Sequence, residues 1–186
     1  QLKNSILQWA IQGKLVPQDP NDEPASVLLE RIRAEKARLV KEKKIKKDKN
    51  ESIIYRGEDN SYYEKFLATG EVKCIDEEIP FEIPQGWEWS RMGSIGDWGA
   101  GATPAKGNTS YYGGNILWLR TGELNNSIVN DTEIKITDKA LKECSLRLNK
   151  AGDVLIAMYG ATIGKVAIAG CELTTNQACC ACTPIE

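Results

Sequence analysis

The chain has 186 residues, of which 41% are hydrophobic and 27% charged, and its formal net charge at pH 7 is -2. This composition is typical of a globular protein, and the length suffices for one domain with an extension or for two small domains. No apolar run approaches the ~20 residues of a membrane-spanning helix and no signal peptide opens the sequence, so we expect a cytoplasmic protein without a membrane partner.

Charge is unevenly distributed along the sequence. Residues 31–49 contain ten Lys and Arg against three acidic residues, whereas residues 50–90 contain three basic and ten acidic residues. A basic block suits a polyanionic partner, and it is equally typical of the solvated face of a helix. The sequence has no histidine, which excludes a Ser-His or Cys-His nucleophile pair within the chain. No carboxylate stands in a context typical of a general acid or base, so we do not expect a catalytic site.

The first 49 residues predict two helices. Residues 2–16 carry apolar side chains on two adjoining stripes, which is typical of an amphipathic helix, and Pro17 would end it. A longer helix is predicted from about Ala25 to Lys47, and at 1.5 Å per residue it would be ~34 Å long. Such a rod cannot bury its apolar stripe alone, so we expect it to pair with another helix from this chain or a second one. The stripe consists of Leu28, Leu29, Ile32, Leu39 and Val40.

Residues 50–86 are polar and rich in turn-forming residues. The segment SIIYRGEDNSYY predicts two short strands around a Gly-Glu-Asp-Asn turn, and Pro80 and Pro84 exclude a helix from EEIPFEIPQGW. We therefore expect a linker with a short hairpin between a helical spacer region, residues 1–49, and a second domain, residues 87–186.

From Trp87 onward, short strand-like runs alternate with polar loops. The runs WEWSRM, NILWLR, DVLIAMY and KVAIA predict strands, and TDKALKECSLRL (137–148) predicts a helix capped by Thr137. The segment TTNQACCAC fits either the start of a helix or a buried strand. The whole pattern predicts an α+β (mixed α/β) fold, in which a long coiled-coil-like helical arm precedes a β-rich domain with short helices.

The glycines of DVLIAMYGATIGKVAIAG (153–170) invite comparison with a phosphate-binding loop. Such a loop places four residues between its first glycine and its Gly-Lys pair, follows the lysine with Ser or Thr, and opens a helix. Here three residues separate Gly160 from Gly164, Val166 follows Lys165, and the next run predicts a strand. The segment therefore predicts a hairpin, and we expect no ATP or GTP binding.

Four of the six cysteines lie near the end of the sequence, which suggests zinc. However, Cys179, Cys180 and Cys182 do not form the repeated C-x₂₋₄-C pairs of a zinc site. They stand in an apolar run, where reduced cysteines act as small buried hydrophobic residues. We favour that interpretation and predict no metal site.

Three segments, in this order, resemble the DNA-specificity subunit of type I restriction-modification systems. LQWAIQGKLVPQDPNDEPASVLLERIRAEKARL resembles the helical conserved region that follows a target recognition domain. EIPQGWEWSRMGSIGDWGAGATP resembles the start of such a domain, and GDVLIAMYGATIGKVAI with TTNQACCACTP resembles its strand pair and the following element.

The resemblance implies a non-enzymatic role: reading one half of a bipartite DNA target for a type I restriction-modification complex. The implied partners are double-stranded DNA, the methyltransferase (modification) subunits and, through the complex, the restriction subunit. The helical arm would also offer a route to self-association. S-adenosylmethionine, ATP and Mg²⁺ would belong to the partner subunits, and this chain would bind no cofactor.

One departure from the family pattern concerns length. Family subunits alternate two recognition domains with two helical regions, whereas this chain has one helical region and a domain that stops at Glu186. We therefore expect a half-subunit or a truncated piece, with a recognition domain that is incomplete at its C-terminus.

DNA contacts are predicted on loops of the second domain and on the basic helix, because Arg and Asn pair with base edges while Lys and Arg hold phosphates. At each position a structural role, such as shaping a turn, is the alternative. The predicted DNA-contacting residues are Thr103, Lys106, Asn108, Thr109, Ser110, Tyr111, Arg120, Asn125, Asn126, Tyr159, Thr162 and Lys165. The predicted phosphate-contacting residues of the helix are Lys43, Lys44, Lys46 and Lys47.

A function of a different class fits the same elements: a non-enzymatic protein-interaction module with a coiled-coil arm. Salt separates the two hypotheses, because DNA binding weakens steeply as salt rises, whereas an apolar interface does not.

Overall fold

The structure is a computed structural model, and it describes residues 2–185. The chain divides into two compact units. Unit 1 runs to Ile95 and includes Ile185, and unit 2 is Gly96–Pro184. Within residues 2–185, no helix combines the length and the apolar character needed to cross a bilayer. The domain boundaries predicted at residues 49/50 and 86/87 stay predictions.

Unit 1 opens with two helices, α1 (Leu2–Ile11) and α2 (Ala25–Lys41). Helix α1 is shorter than the predicted 2–16 because a Schellman motif ends it: Gly13 has φ 66°, its N–H donates to Ala10 O at 3.0 Å, and the Lys14 N–H donates to Trp9 O at 2.8 Å. Gly13 is therefore a helix stop that lies inside the predicted range 2–16. No side chain of α1 is buried.

The prediction that the second helix extends to Lys47 is wrong. A second Schellman motif ends α2 after Lys41: the Lys44 N–H donates to Leu39 O at 2.9 Å and the Lys43 N–H to Val40 O at 3.0 Å. Lys43 takes the left-handed position of this motif, with φ 58°. The 17 residues of α2 span ~26 Å, instead of the predicted ~34 Å.

The apolar stripe of α2 is only partly buried. Ile32 is buried within the chain, Leu28 is exposed, and the other three stripe residues, Leu29, Leu39 and Val40, are half-buried. One helical turn beyond Ile32, Lys36 is also buried, and its Nζ donates to Gly93 O at 3.0 Å. Ile32 and Lys36 thus attach α2 to its own unit, and the pairing of α2 with another helix stays a prediction.

A three-stranded antiparallel sheet follows, with strands β1 (Ser52–Arg56), β2 (Tyr62–Phe66) and β3 (Val72–Cys74) in sequential order. The predicted hairpin is confirmed by the β1–β2 register, in which Ile54 lies opposite Glu64. The third strand was not predicted. Residues 50–86 are therefore more structured than a linker with a hairpin.

A buried carboxylate joins this sheet to the segment that follows it. Glu64 accepts hydrogen bonds from Ser52 Oγ at 2.5 Å and from Arg91 Nε and Nη2 at 3.0 and 2.5 Å. Arg91 Nη2 also donates to Glu78 at 2.8 Å. The strand predicted at WEWSRM is absent from the described structure: Trp87–Arg91 is irregular and leads into a 3-10 turn at Met92–Ser94. Side-chain hydrogen bonds such as those of Arg91 hold this segment, which makes no backbone hydrogen-bond ladder with any strand among the described residues.

Unit 2 contains two sheets. Its strands are β4 (Gly96–Ala100), β5 (Tyr112–Leu119), β6 (Ile128–Val129), β7 (Ile134–Ile136), β8 (Val154–Ala157), β9 (Val166–Ala169), β10 (Thr174–Thr175) and β11 (Cys179–Pro184). Five strands form one sheet in the order β4-β11-β8-β9-β6, and three form the other in the order β10-β5-β7. The strands predicted at NILWLR, DVLIAMY and KVAIA are confirmed as β5, β8 and β9.

The core of unit 2 lies between its two sheets. Strand β5 turns Leu117 and Leu119 toward the five-stranded sheet, where they meet Leu155 and small residues such as Ala181. Its opposite face, including Trp118, packs in a second cluster with Ala140 of a short helix, α3 (Asp138–Glu143). These layers give the mixed α+β, sheet-rich fold that the sequence predicts.

Helix α3 begins as predicted and ends early. Thr137 Oγ1 accepts the Ala140 N–H at 3.3 Å, which confirms the cap. The helix stops at Glu143 instead of continuing to Leu148. Arg147 contributes to this early end, because its side chain extends to β4 and β11. Its Nη2 forms an ion pair with Asp97 Oδ2 at 3.1 Å and donates to Thr183 Oγ1 at 2.9 Å.

The cysteine-rich segment forms a buried strand, not a helix. Cys179 and Cys182 are buried in β11, and burial raises the pKa of the Cys179 thiol to about 11. All six cysteines are free thiols. Within residues 2–185, no group of three or more Cys, Asp or Glu is arranged to hold a metal ion.

We predict that the backbone at Lys43 limits the stability of the α2 terminus. A left-handed conformation costs an L-residue ~1–2 kcal/mol, which glycine avoids in part. Lys43→Gly should therefore be more stable than Lys43→Ala by about 1 kcal/mol in urea unfolding followed by circular dichroism. Both variants remove the same charge, so each is the control for the other. An alanine variant as stable as the glycine variant would contradict the motif.

We predict that Glu64 makes unit 1 acid-sensitive. Hydrogen bonds from Arg91 hold the pKa of Glu64 below its ordinary value. The stabilisation is therefore complete above the unfolded-state pKa of about 4.3 and is lost as pH falls through the folded-state pKa. Glu64→Gln should lower the free energy of unfolding by ~3 kcal/mol at pH 7 and flatten its decline between pH 5 and 2. Exposed Glu71→Gln is the control, and an unchanged acid profile for Glu64→Gln would refute the assignment.

Candidate nucleic-acid interface

One end of unit 2 gathers four loops, which we call the loop edge: residues 101–103, 120–127, 158–165 and 176–178. Backbone hydrogen bonds hold them together. The Gly101 N–H donates to Cys179 O at 3.0 Å, and the Met158 N–H donates to Ala178 O at 2.9 Å. The Asn126 N–H donates to Val166 O at 2.9 Å, while the Asn176 N–H reaches Leu119 O at 2.9 Å. Loops far apart in sequence thus form one surface.

More than half of the predicted DNA-contacting residues lie on this edge. Asn125 and Asn126 are exposed in the loop after β5, and Tyr159 and Lys165 are exposed on the β8–β9 hairpin. The amide, hydroxyl and aromatic groups here are of the kind that contact base edges and phosphates. The predicted residues at the loop edge are Thr103, Arg120, Asn125, Asn126, Tyr159, Thr162 and Lys165.

A second group of predicted residues lies elsewhere, before β5 and beside α3. It consists of Lys106, Asn108, Thr109, Ser110 and Tyr111. Strand β5 runs between Tyr111 and Arg120, but its register is irregular between Tyr112 and Ile116, and the Tyr112 hydroxyl donates to Pro104 O at 2.6 Å, next to Thr103. Within residues 2–185, no side-chain hydrogen bond or ion pair joins this group to the predicted residues of the loop edge.

Asn108, Ser110 and Tyr111 of this second group make local side-chain hydrogen bonds. Asn108 Oδ1 accepts from Ser110 N at 3.2 Å and from Ser110 Oγ at 2.6 Å, which caps the 3-10 turn Thr109–Tyr111. The Tyr111 hydroxyl donates to Glu143 Oε2 at 3.0 Å, and this bond raises the pKa of Tyr111. Lys106 is exposed in the preceding turn.

Arg120 is at the loop edge, but its guanidinium is already engaged. It forms ion pairs with Glu133 and, at 3.5 Å, with Glu123. Glu123 also accepts the backbone N–H groups of Arg120 at 3.1 Å and Glu133 at 2.9 Å. The three side chains tie the loop after β5 to the segment before β7. A DNA contact by Arg120 would have to replace its ion pair with Glu133.

The β8–β9 hairpin confirms the strand-turn-strand prediction for the glycine motif. Gly160 and Gly164 are left-handed, with φ 84° and 79°, as the tight turn requires. The Gly164 N–H donates to Ala157 O and the Lys165 N–H to Thr162 O, both at 3.0 Å. These two amide groups are used inside the turn, and the absence of ATP or GTP binding stays a prediction.

Two further side chains at this edge were not predicted. Ile163, at the hairpin tip, is 68% exposed, and Gln177 is exposed and accepts a hydrogen bond from Thr103 Oγ1. Ile163 could have been identified from the sequence, because it is an apolar residue between the two glycines of a turn. The pairing of Thr103 with Gln177 joins loops 74 residues apart, so no local pattern could reveal it.

The four predicted phosphate-contacting lysines are not on a helix, because α2 ends before them. Lys43 holds the left-handed cap position, and Lys44 pairs with Glu42 at 2.8 Å. Lys46 and Lys47 are exposed in an irregular segment of unit 1. The positive charge is therefore carried by an irregular segment instead of a helix.

Comparison with known proteins adds independent information. Residues 84–186 match the family model described as the type I restriction modification DNA specificity domain. The chain is 55% identical over 94 residues to the type I restriction enzyme EcoAI specificity subunit of Escherichia coli, which covers 50% of this chain and 13% of that protein. It is 48% identical over 105 residues to the EcoEI specificity subunit of the same organism, covering 56% and 14% respectively.

A solved structure of the HsdS subunit from Thermoanaerobacter tengcongensis is 20% identical, with a TM-score of 0.44, and covers 56% of this chain and 25% of that one. The family assignment does not depend on that structure. The chain spans about an eighth to a seventh of the two curated relatives it matches. The family model, by contrast, covers more than half of this chain. The chain belongs to the type I restriction modification DNA specificity domain family.

Proposed function

We propose that this chain recognises a specific DNA sequence for a type I restriction-modification complex, directing methyltransferase and restriction subunits to one half of a bipartite target. The match of residues 84–186 to the DNA specificity domain carries this proposal. The loop edge supports it, because rigid strands hold exposed amide, hydroxyl and aromatic side chains on one surface. The chain itself would be non-catalytic, and S-adenosylmethionine, ATP and Mg²⁺ would be held by partner subunits.

Recognition would be divided between two kinds of contact. Asn125 and Asn126 can each offer an amide donor and acceptor to an adenine edge in the major groove. Lys165 on the hairpin and the lysines after α2 would hold phosphates, which fix position without reading sequence.

The helical arm would serve as a spacer and a pairing surface. Leu28, Leu39 and Val40 keep exposed area that another helix could cover, whereas Ile32 is already buried. At ~26 Å, α2 alone is shorter than one turn of B-DNA, ~34–36 Å. Half-sites on one face of the duplex would therefore require additional length from outside α2.

Replacing Lys43, Lys44, Lys46 and Lys47 together with alanine should weaken binding to all DNA sequences about equally. Each lost phosphate contact should flatten the slope of log affinity against log salt by ~0.9. The measurement is a salt titration of DNA binding by the assembled methyltransferase. Exposed Lys3 and Lys14, replaced together, are the control. Salt-independent binding would instead support the protein-interaction module.

Replacing Asn126 with alanine should relax the preference at one base position by ~1–3 kcal/mol, because a paired hydrogen bond to a base is lost. Binding selection on randomised duplexes by the assembled methyltransferase would measure this. Asn21→Ala, which removes an exposed amide from unit 1, is the control and should leave the preferred sequence unchanged.

Two variants, Glu133→Gln and Arg120→Ala, test whether Arg120 contacts DNA. If Arg120 reaches DNA, Glu133→Gln should free its guanidinium and strengthen binding, and Arg120→Ala should weaken it. If Arg120 only ties the loop after β5, both variants should lower thermal stability and leave the preferred base at each position unchanged. Unchanged selection with both Asn126→Ala and Arg120→Ala would refute the role of the loop edge.

A further inference from the structure

Strand β1 of unit 1 presents an open edge. It is the outer strand of its sheet, and among residues 2–185 it pairs only with β2. Two bonds just outside the strands define its hydrogen-bond pattern: the Leu67 N–H donates to Glu51 O at 2.9 Å, and the Gly57 N–H donates to Ser61 O at 2.8 Å. Because bonded pairs alternate along an antiparallel ladder, the odd-numbered residues of β1 face β2. The N–H and C=O groups of Ser52, Ile54 and Arg56 therefore point outward.

This edge borders a cleft. The cleft has a volume of about 520 Å³ and lies between β1, one face of α2 and the segment around Trp89. Leu29 and Ile54 supply apolar lining, and Ser26 and Ser90 supply hydroxyl groups. A strand added to this edge would lie ~4.8 Å from β1, within the region that the cleft occupies.

Three features that blunt natural edge strands are missing from β1: proline, lysine and a bulge. Strand β1 is SIIYR, in regular register with β2 over all five residues. Ser52 is buried, Ile53 and Ile54 are half-buried, and Tyr55 and Arg56 are exposed, so the accessible part of this regular edge is its C-terminal half.

The charges of the cleft indicate which kind of chain it suits. Glu30, Glu51 and Glu88 line it, and none of them forms an ion pair among the described residues. Arg33 is the opposing charge, while Arg56 is held by Glu82 at 3.6 Å. The excess of carboxylates repels the phosphates of DNA and attracts basic side chains.

We propose that β1 is a docking strand, to which a basic, extended segment of a partner protein adds as a fourth strand. Backbone bonds to Ser52, Ile54 and Arg56 would supply affinity, and the carboxylates of the cleft would select Lys or Arg. The site belongs to unit 1 and does not depend on the DNA-reading role of the loop edge.

Ile54→Pro tests the proposal directly. Proline at residue 54 removes an outward N–H and leaves the bonds between β1 and β2 intact, as edge positions tolerate. The probe is a fluorescein-labelled peptide, Lys-Val-Lys-Val-Thr-Val-Lys, titrated with the full chain at low salt and followed by anisotropy. Wild type and Ile54→Val should bind it, and Ile54→Pro should lose at least tenfold in affinity at an unchanged thermal midpoint. Glu51→Gln with Glu88→Gln should also weaken binding.

A peptide-side control keeps the test decisive if Ile54→Pro fails to fold. N-methylation of alternate peptide residues should abolish binding in one of the two registers and spare it in the other. Equal binding by both methylated peptides, or no binding by wild type at millimolar peptide, would overturn the proposal. So would displacement of the peptide by duplex DNA, or a wild-type dimer that Ile54→Pro dissociates, because these assign the edge to DNA or to a second copy.

Discussion

The arrangement of unit 2 depends on the pairing of β11 with two strands at once. Cys180 lies opposite Ala100 of β4 and Ile156 of β8, and the neighbouring residues continue both ladders. Small side chains make this possible: Cys179 and Ala181 are fully buried, and at Gly99 a methyl group would overlap the Arg147 side chain. Because the end of β4, the start of β11 and the end of β8 are tied together, the loops beyond them must share one edge.

Helix termini show what a sequence can and cannot predict. The same motif ends both helices of unit 1, with Gly13 in the left-handed position of the first and Lys43 in that of the second. Glycine in this position is a readable stop signal, whereas lysine resembles any other residue of a basic helix. Helix α3 shows the same difference between local and tertiary signals. Its start could be predicted because the Thr137 cap is a local sequence feature. Its end depends on Arg147 reaching strands β4 and β11, which are distant in sequence.

The candidate site divides in the same way. Strand-end loops could be identified from alternating apolar runs and turn residues, and this placed Asn126, Tyr159 and Lys165 correctly in loops that turned out to be neighbours. Sequence could not show that β5 runs between Asn108 and Arg120 and holds them at opposite ends, because that separation follows from the length and direction of a strand within a sheet. Nor could it show that Glu133, beyond β6, neutralises Arg120. Both are properties of tertiary structure.

The distribution of paired and unpaired charge indicates where DNA affinity would originate. At the loop edge, Glu123 and Glu133 compensate Arg120, and Lys165 is the one exposed cation there without an ion pair among the described residues. Along α2, Arg38 is likewise engaged by Glu35 and Glu42, and Arg31 pairs with Glu23. Among residues 2–185, exposed lysines without an ion pair cluster around the end of α2, at Lys41, Lys43, Lys46, Lys47 and Lys49, whereas others, such as Lys106, lie elsewhere. A surface that reads bases benefits from weak non-specific attraction, because specificity is the difference between affinities for the right and wrong sequences. Keeping most of the phosphate-binding charge off the loop edge, on a segment of the other unit, would preserve that difference.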